Sequence, residues 1–294
     1  MNMIFLFIDG FGLGEANEET NPFYRANTPA WDYIVKRGRI IETDACLDVA
    51  GLPQSATGQT SIFTGVNASK VLGKHLHGQP TNTLKKIIET DNLFKALLER
   101  GLKVTNANVY RPEYLSKILD PKDKKYKPSV TTVMTLASGL SCRTIEDYKL
   151  GKGLYHDITG RILVEGGYVE NEISPSEAAK RLYNLSREYN LTMFEHFMTD
   201  IIGHKMSMEE AIENIELIDS FLEELIKLVD LDRDFIIITS DHGNIEDLSI
   251  KTHTFNKVPT VILGDREVID SLNIKSITDV MPAVLSIFDN NRDL

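Results

Sequence analysis

The chain has 294 residues, 42% of them apolar and 26% charged, with a formal net charge of −11. That balance is ordinary for a soluble globular protein of one or two domains, and its sign excludes a nucleic-acid backbone or an anionic membrane as the main partner. Two cysteines, Cys46 and Cys142, give neither a disulfide framework nor a CxxC metal site and suit a reduced, cytoplasmic setting.

The first apolar run stops at Asp9, too short for a signal segment with its cleavage site or for a bilayer span. Residues 4–8, Ile-Phe-Leu-Phe-Ile, read as a strand buried on both faces that ends in Asp9-Gly10. Leu52-Pro-Gln-Ser-Ala-Thr-Gly-Gln-Thr60 leads into Ser61-Ile62-Phe63, where a helix is expected. A helix over 92–100 and a strand at about 102–109 follow.

The stretch 111–172 breaks this rhythm. It holds a charged segment at 120–128, many glycines and little periodicity, and reads as an insertion, a small lid on a core formed by 1–110 and 173–294. Ser174-Pro-Ser-Glu177 and Ser207-Met-Glu-Glu210 are helix-start signals. After the second, Ala211, Ile215, Ile218, Leu222 and Leu225 recur at helical spacing. Strands are expected at 191–199, 235–240 and 258–263, and a last helix near Thr278. Alternating strands and helices predict an α/β fold, a mostly parallel central sheet covered on both faces by helices.

In such sheets ligands collect at the carboxyl ends of the strands. Asp9 closes the first strand, Asp200 the strand at 191–199 with His204 four residues on, and Asp241-His242-Gly243 the strand at 235–240. His253 stands just before the strand at 258–263. Carboxylate and imidazole are the ligands zinc or manganese takes, so these six residues form a candidate metal set at one sheet edge. Each alone has a plainer reading: Asp9-Gly10 as a turn, Asp200 and His204 as a surface pair, His253 as a core histidine. Ser55 precedes a helix N-terminus, whose free N–H groups suit a phosphate, although it also fits as an N-cap; Thr57 and Thr60 are rival hydroxyls.

Taken in order, Asp9, Gln54-Ser-Ala-Thr-Gly58, Asp200-Ile-Ile-Gly-His204, Asp241-His-Gly-Asn244 and Thr252-His-Thr254 resemble the metal-site motifs of the alkaline phosphatase superfamily, nearest to its cofactor-independent phosphoglycerate mutase and phosphopentomutase branch. The resemblance implies two divalent metal ions, manganese or zinc. Asp9, Asp241 and His242 would hold one with Ser55 as a further ligand, and Asp200, His204 and His253 the other. It implies Ser55 as a nucleophile that becomes phosphorylated, and a small phosphorylated substrate.

The mutases carry a histidine where Gln59 stands here, and larger insertions than 111–172. The expectation is therefore a phosphatase or phosphodiesterase, with a phosphomutase as the alternative. A sulfatase motif, Cys/Ser-x-Pro-x-Arg, is absent around Ser55. Gln59, His75, His77, Arg111, Arg143 and His156 are candidate substrate contacts, and His196, inside a strand, is expected to be packing.

Overall fold

The computed structural model describes residues 1–120, 122–123 and 125–290; of the charged segment at 120–128, Pro121 and Lys124 lie outside the described residues. Among the described residues eight strands form: β1 (Met3–Ile8), β2 (Arg39–Thr43), β3 (Val104–Asn106), β4 (Val109–Tyr110), β5 (Arg143–Thr144), β6 (Leu191–His196), β7 (Phe235–Thr239) and β8 (Val258–Leu263). Six make the central sheet in the order β2-β8-β7-β1-β6-β3, while β4 and β5 pair apart from it. The middle of the sheet is parallel, with β1 between β6 and β7 and β3 beside β6. The other edge is antiparallel: β8 runs against both β7 and β2.

β1 is buried along its whole length because helices cover both faces of the sheet. Its side chains alternate between two cores, as strand geometry requires. Met3, Phe5 and Phe7 meet Ile62, Phe63, Leu97, Met134, Val284 and Phe288 on one face. Ile4, Leu6 and Ile8 meet Ile34, Leu182, Ile215, Leu222 and Leu225 on the other. Each fully buried side chain of this kind contributes about 1.5–3 kcal/mol. The 21-residue helix Met208–Leu228 and the helix Pro175–Ser186 start where the sequence signals them. In both, the serine hydroxyl accepts the amide three residues on, Glu177 N at 3.1 Å and Glu210 N at 3.4 Å.

Two expectations are corrected, and a third stretch divides between two cores. The strand expected at 102–109 is two short strands in different sheets, because Asn106 and Asn108 interrupt it: Asn106 Oδ1 accepts the Asn108 amide, and the Asn108 side chain bonds the backbone of Glu195. The strand expected to reach Asp200 stops at His196, and Asp200 lies in the first turn of the helix Met198–Lys205. The stretch 111–172 is not uniform: the helix Val130–Ala137 buries Val130, Val133 and Met134 in the main core, whereas Ile145, Tyr148, Tyr155 and Leu163 form a separate small cluster with Val109. Among the described residues no helix is long and apolar enough to cross a membrane.

Candidate metal centre

Parallel β1, β6 and β7 deliver their carboxyl ends to one edge of the sheet. Asp9 and Asp241 arrive there directly, since each follows its strand within two residues. His253 arrives for the opposite reason. It precedes β8, and because β8 is antiparallel, its amino end lies at the same edge. The helix Ser55–Thr64 starts there too, with Gln54 extended at its N-cap.

The turn after β1 is tight. Gly10 has φ +69°, and a Cβ on it would meet Asp200 atoms at 3.0 Å, so this position requires glycine for both conformation and space. Gly58 allows the same closeness on the helix side: a Cβ there would meet Asp241 Cβ at 2.8 Å and its carbonyl oxygen at 2.9 Å.

Two groups of ligand atoms converge, Asp200 with His204 and His253, and Asp9 with Asp200 and His242, the atoms of each group lying within 4.8 Å of one another. In the first, Asp200 Oδ1 is 3.3 Å from His253 Nε2 and 3.5 Å from His204 Nε2, and the two Nε2 atoms are 3.2 Å apart. His253 Nδ1 faces Pro53 O at 2.9 Å and His204 Nδ1 faces Lys251 O at 2.9 Å. A backbone carbonyl only accepts, so each ring keeps a proton on Nδ1 and turns Nε2 inward, where its lone pair can serve a cation in place of a proton. Two lone pairs and a carboxylate oxygen aimed at one another fit a divalent cation. Asn244 Nδ2 donates to Asp200 Oδ1 at 2.7 Å and fixes that carboxylate.

In the second group, His242 Nε2 is 3.3 Å from Asp9 Oδ1, 3.6 Å from Asp241 Oδ2 and 3.0 Å from Ser55 Oγ. Asp9 Oδ1 is buried and has no hydrogen-bond partner. An orphaned carboxylate oxygen inside the protein is expensive unless a cation meets it. Gln59 Nε2 donates to Asp9 Oδ2 at 3.0 Å and to Asp241 Oδ2 at 3.3 Å. Gln59 therefore spans the two carboxylates while also lining the cavity. The His242 and His253 rings stack at 3.7 Å, which joins the two groups.

The electrostatics describe a site short of positive charge. Burial, and then the fields of Asp241 and Asp200, push the Asp9 carboxyl well above its ordinary range. Burial and the field of Asp200 push Asp241 up to about 7. Burial also holds His242 down at about 3. At Asp200, burial works against the charge, but the His253 hydrogen bond, the field of His242 and the Asn244 amide hold the carboxyl below its ordinary range. The Asp9 and Asp241 carboxyls, kept from ionising, beside a His242 ring kept from protonating suit a metal cation, which favours the deprotonated form of each.

Of the hydroxyls near the helix start, Ser55 Oγ is the one within reach of the ligand cluster. Thr57 Oγ1 donates to Gln54 O at 3.2 Å and accepts from Leu76 N at 3.2 Å; Thr60 Oγ1 donates to Ala56 O at 2.6 Å.

A cavity of about 600 Å³ opens beside Ser55, Asp9 and Asp200. Of the candidate substrate contacts, Gln59, His77, Arg111 and His156 line it. His75 and Arg143 do not. His75 ties its loop together through Ser69 Oγ at 3.0 Å and Val49 O at 3.1 Å. Arg143 is held at Asn106 O, 3.1 Å, and Thr105 Oγ1, 2.9 Å. His196 is buried against Asn214, its Nε2 3.2 Å from Oδ1.

Glu195 was not singled out by sequence reasoning. It lines the cavity from the end of β6, is buried, receives the Thr131 hydroxyl, and is raised to about 7 by burial. The signal was a carboxylate inside a strand that is otherwise free of acidic residues, five positions before Asp200. Glu246, which accepts Gly12 N at 3.1 Å, Asn244 N at 2.7 Å and the Thr254 hydroxyl, was also missed; it braces the loops that carry the ligands.

These features can be set beside known proteins. A 2,3-bisphosphoglycerate-independent phosphoglycerate mutase of Antithamnion sp. is 29% identical over 147 residues, 45% of this chain and 29% of that protein. The Escherichia coli K12 enzyme of the same name is 28% identical over 128 residues, covering 40% of this chain and 25% of its own. The chain thus spans under a third of the length of these curated relatives. Among solved structures, the PH0037 protein from Pyrococcus horikoshii shares the fold with a TM-score of 0.61 at 16% identity, covering 100% of this chain and 98% of that one. The alkaline phosphatase from the Antarctic bacterium TAB5 does so with a TM-score of 0.52 at 13% identity, covering 98% and 97%. The Metalloenzyme superfamily model matches residues 1–290. With a metal-ready ligand set at the edge of an alkaline phosphatase-like sheet and that match over nearly its whole length, the chain belongs to the Metalloenzyme superfamily.

Proposed function

We propose that this protein is a metal-dependent phosphoric ester hydrolase, with Ser55 as nucleophile between two divalent cations, manganese or zinc. The observation that carries this reading is the meeting of Ser55 Oγ, at the start of a ten-residue helix, with Asp9, Asp200, Asp241, His204, His242 and His253. Asp200, His204 and His253 would hold one cation. Asp9 and His242, with Asp241 and Ser55, would hold the other, and Asp200 lies close enough to serve both. The cations would neutralise phosphoryl oxygens and lower the pKa of the attacking hydroxyl.

The remaining work falls to the protein's own groups. The helix Ser55–Thr64 turns the positive end of its dipole toward the phosphoryl oxygens, with the Ala56 amide already given to Leu76 O at 3.1 Å. Ser55 Oγ loses its proton and forms a bond to phosphorus while the ester P–O bond breaks; the substrate alcohol leaves and is protonated. Water then attacks the phosphoserine, releasing phosphate and restoring the serine. Gln59 keeps Asp9 and Asp241 at fixed separation. The parts of 111–172 around Arg111, Tyr114, Tyr155 and His156 cover the cavity as a lid, while the helix Val130–Ala137 belongs to the core.

A phosphomutase is the second reading, favoured by the names of the relatives; there a second substrate hydroxyl would take the phosphoryl group in place of water. The test is a screen of phosphate esters with added manganese or zinc, with products identified and Ser55→Ala as control. Free phosphate from the wild type and a loss of about three or more orders of magnitude in Ser55→Ala are expected. Full activity in Ser55→Ala, or trapped phosphate on Thr57, refutes the mechanism, and an isomerised ester without free phosphate moves the assignment to the mutase.

A further inference from the structure

We propose that the alcohol half of the substrate carries a flat aromatic ring and no charge, seated on aromatic side chains of the same cavity. This rests on the phosphoryl-transfer reading of Ser55. The cavity, about 600 Å³, has room for a phosphoryl group at the Ser55 end and a ring system beyond it. Its lining away from the ligand cluster contains two aromatic groups. His156 stacks on Phe197 with ring centroids 3.9 Å apart and planes at 20°, and Tyr155 lies against His156 at 4.2 Å. Tyr110 and Tyr114 stack at 5.8 Å and 11°. All five rings line the cavity. Burial keeps the His156 ring uncharged, so its group offers π-faces and no ion.

The charges at the cavity are equally selective. Among the described residues that line it, Arg111 is the only lysine or arginine, while Asp9, Glu195 and Asp200 are acidic. With Asp9 and Asp200 taken up as cation ligands, a second anionic group on the substrate, such as a carboxylate beside the phosphate, would find one exposed guanidinium, Arg111, to meet it beyond the ligand cluster. An uncharged ring meets surfaces that stacking stabilises without regard to sequence of polar contacts. A nucleoside monophosphate has this chemistry: one phosphate, an uncharged sugar and a flat base.

The experiment compares adenosine 5′-monophosphate, ribose 5-phosphate and 3-phosphoglycerate on the metal-loaded protein. The first two present the same primary-alcohol phosphate, so their kcat/KM ratio isolates the ring. That ratio is expected to be about tenfold or more, the size of one lost stacking contact, with 3-phosphoglycerate slower than either. Phe197→Leu and Tyr114→Leu, on half-buried side chains in the two separate groups, should each cut the ratio about fivefold or more. Titration calorimetry with adenosine, which has no phosphate, reads the ring seat apart from catalysis. Adenosine binding that weakens in both variants supports the seat even if no ester is turned over, an outcome that sinks the hydrolase reading instead. Turnover of ribose 5-phosphate at an equal or higher rate, or a ratio unmoved in both folded variants, overturns the proposal.

Discussion

Asp241→Asn gives a direct test of whether the site is built for cations. Asp241 is fully buried, and its carboxyl is raised from 3.8 to about 7, by burial first and then by Asp200. A carboxyl whose folded pKa exceeds its unfolded value loses stability as pH rises between the two and remains penalised above them. For Asp241 that window runs from 3.8 to about 7, and at about 1.36 kcal/mol per unit the penalty in metal-free protein at pH 8 is about 4 kcal/mol. An asparagine removes it. It also faces the Gln59 amide, which donates to both Asp9 and Asp241, and one hydrogen bond worth about 1 kcal/mol is lost there. A net gain of about 3 kcal/mol remains. Over 294 residues the unfolding entropy is about 0.6 kcal/mol/K, so metal-free Asp241→Asn should melt about 5 °C above metal-free wild type at pH 8 and with little difference at pH 4. Saturating manganese should reverse the order, because the cation stabilises the carboxylate that the variant lacks. Thermal unfolding of both proteins, in chelator and in metal, decides it. Equal gains from metal in the two proteins, or a metal-free variant that melts below wild type at pH 8, would refute the reasoning.

Asp200 serves both ligand groups and His204 only one, so His204→Ala should lose about one metal equivalent by elemental analysis and Asp200→Ala more than that; unchanged content in either contradicts the assignment. Because a proton competes with the cation at Asp241, metal affinity should weaken up to about tenfold for each pH unit below 7 and level off above it. Calorimetric titrations from pH 5.5 to 8.5 that give a flat affinity would count against Asp241 as a ligand. Gly58→Ala forces a methyl against Asp241 and should cost about 1–3 kcal/mol while also lowering metal affinity, read by denaturant unfolding and metal titration. A variant as stable as wild type would mean that the helix start is not pinned as closely as the contacts imply.

Much of the site was legible in the chain because its parts stand at the ends of strongly apolar strands. Ile4–Ile8 and Phe235–Ile238 announce buried strands, and the aspartates that close them, Asp9 and Asp241, follow from the strand ends alone. Ser55 and the Asp200–His204 pair each have a plainer local reading, an N-cap and a surface pair, and stand out only through the resemblance of the ordered motifs; Asp200 lies on a helix and not at a strand end. What local sequence cannot encode is strand direction. His253 reaches the others only because β8 runs antiparallel to β7, a pairing settled by long-range packing.

The same limit explains the remaining differences. Gln59 looks like a substrate contact in a helix, and only the approach of β1 and β7 places it between two carboxylates. Arg143 and His75 have the chemistry of ligand-binding residues, but their partners Asn106 and Val49 lie far enough along the chain that the backbone bonds holding them could not be foreseen. Glu195 stands between Phe194 and His196 on β6, and its raised pKa comes from burial that the tertiary structure imposes. Sequence thus determined the chemistry available at each strand end, since apolar patterning and residue type are local. The tertiary structure decided which of those groups meet, since distance in space depends on strand order, strand direction and the helices that close over them.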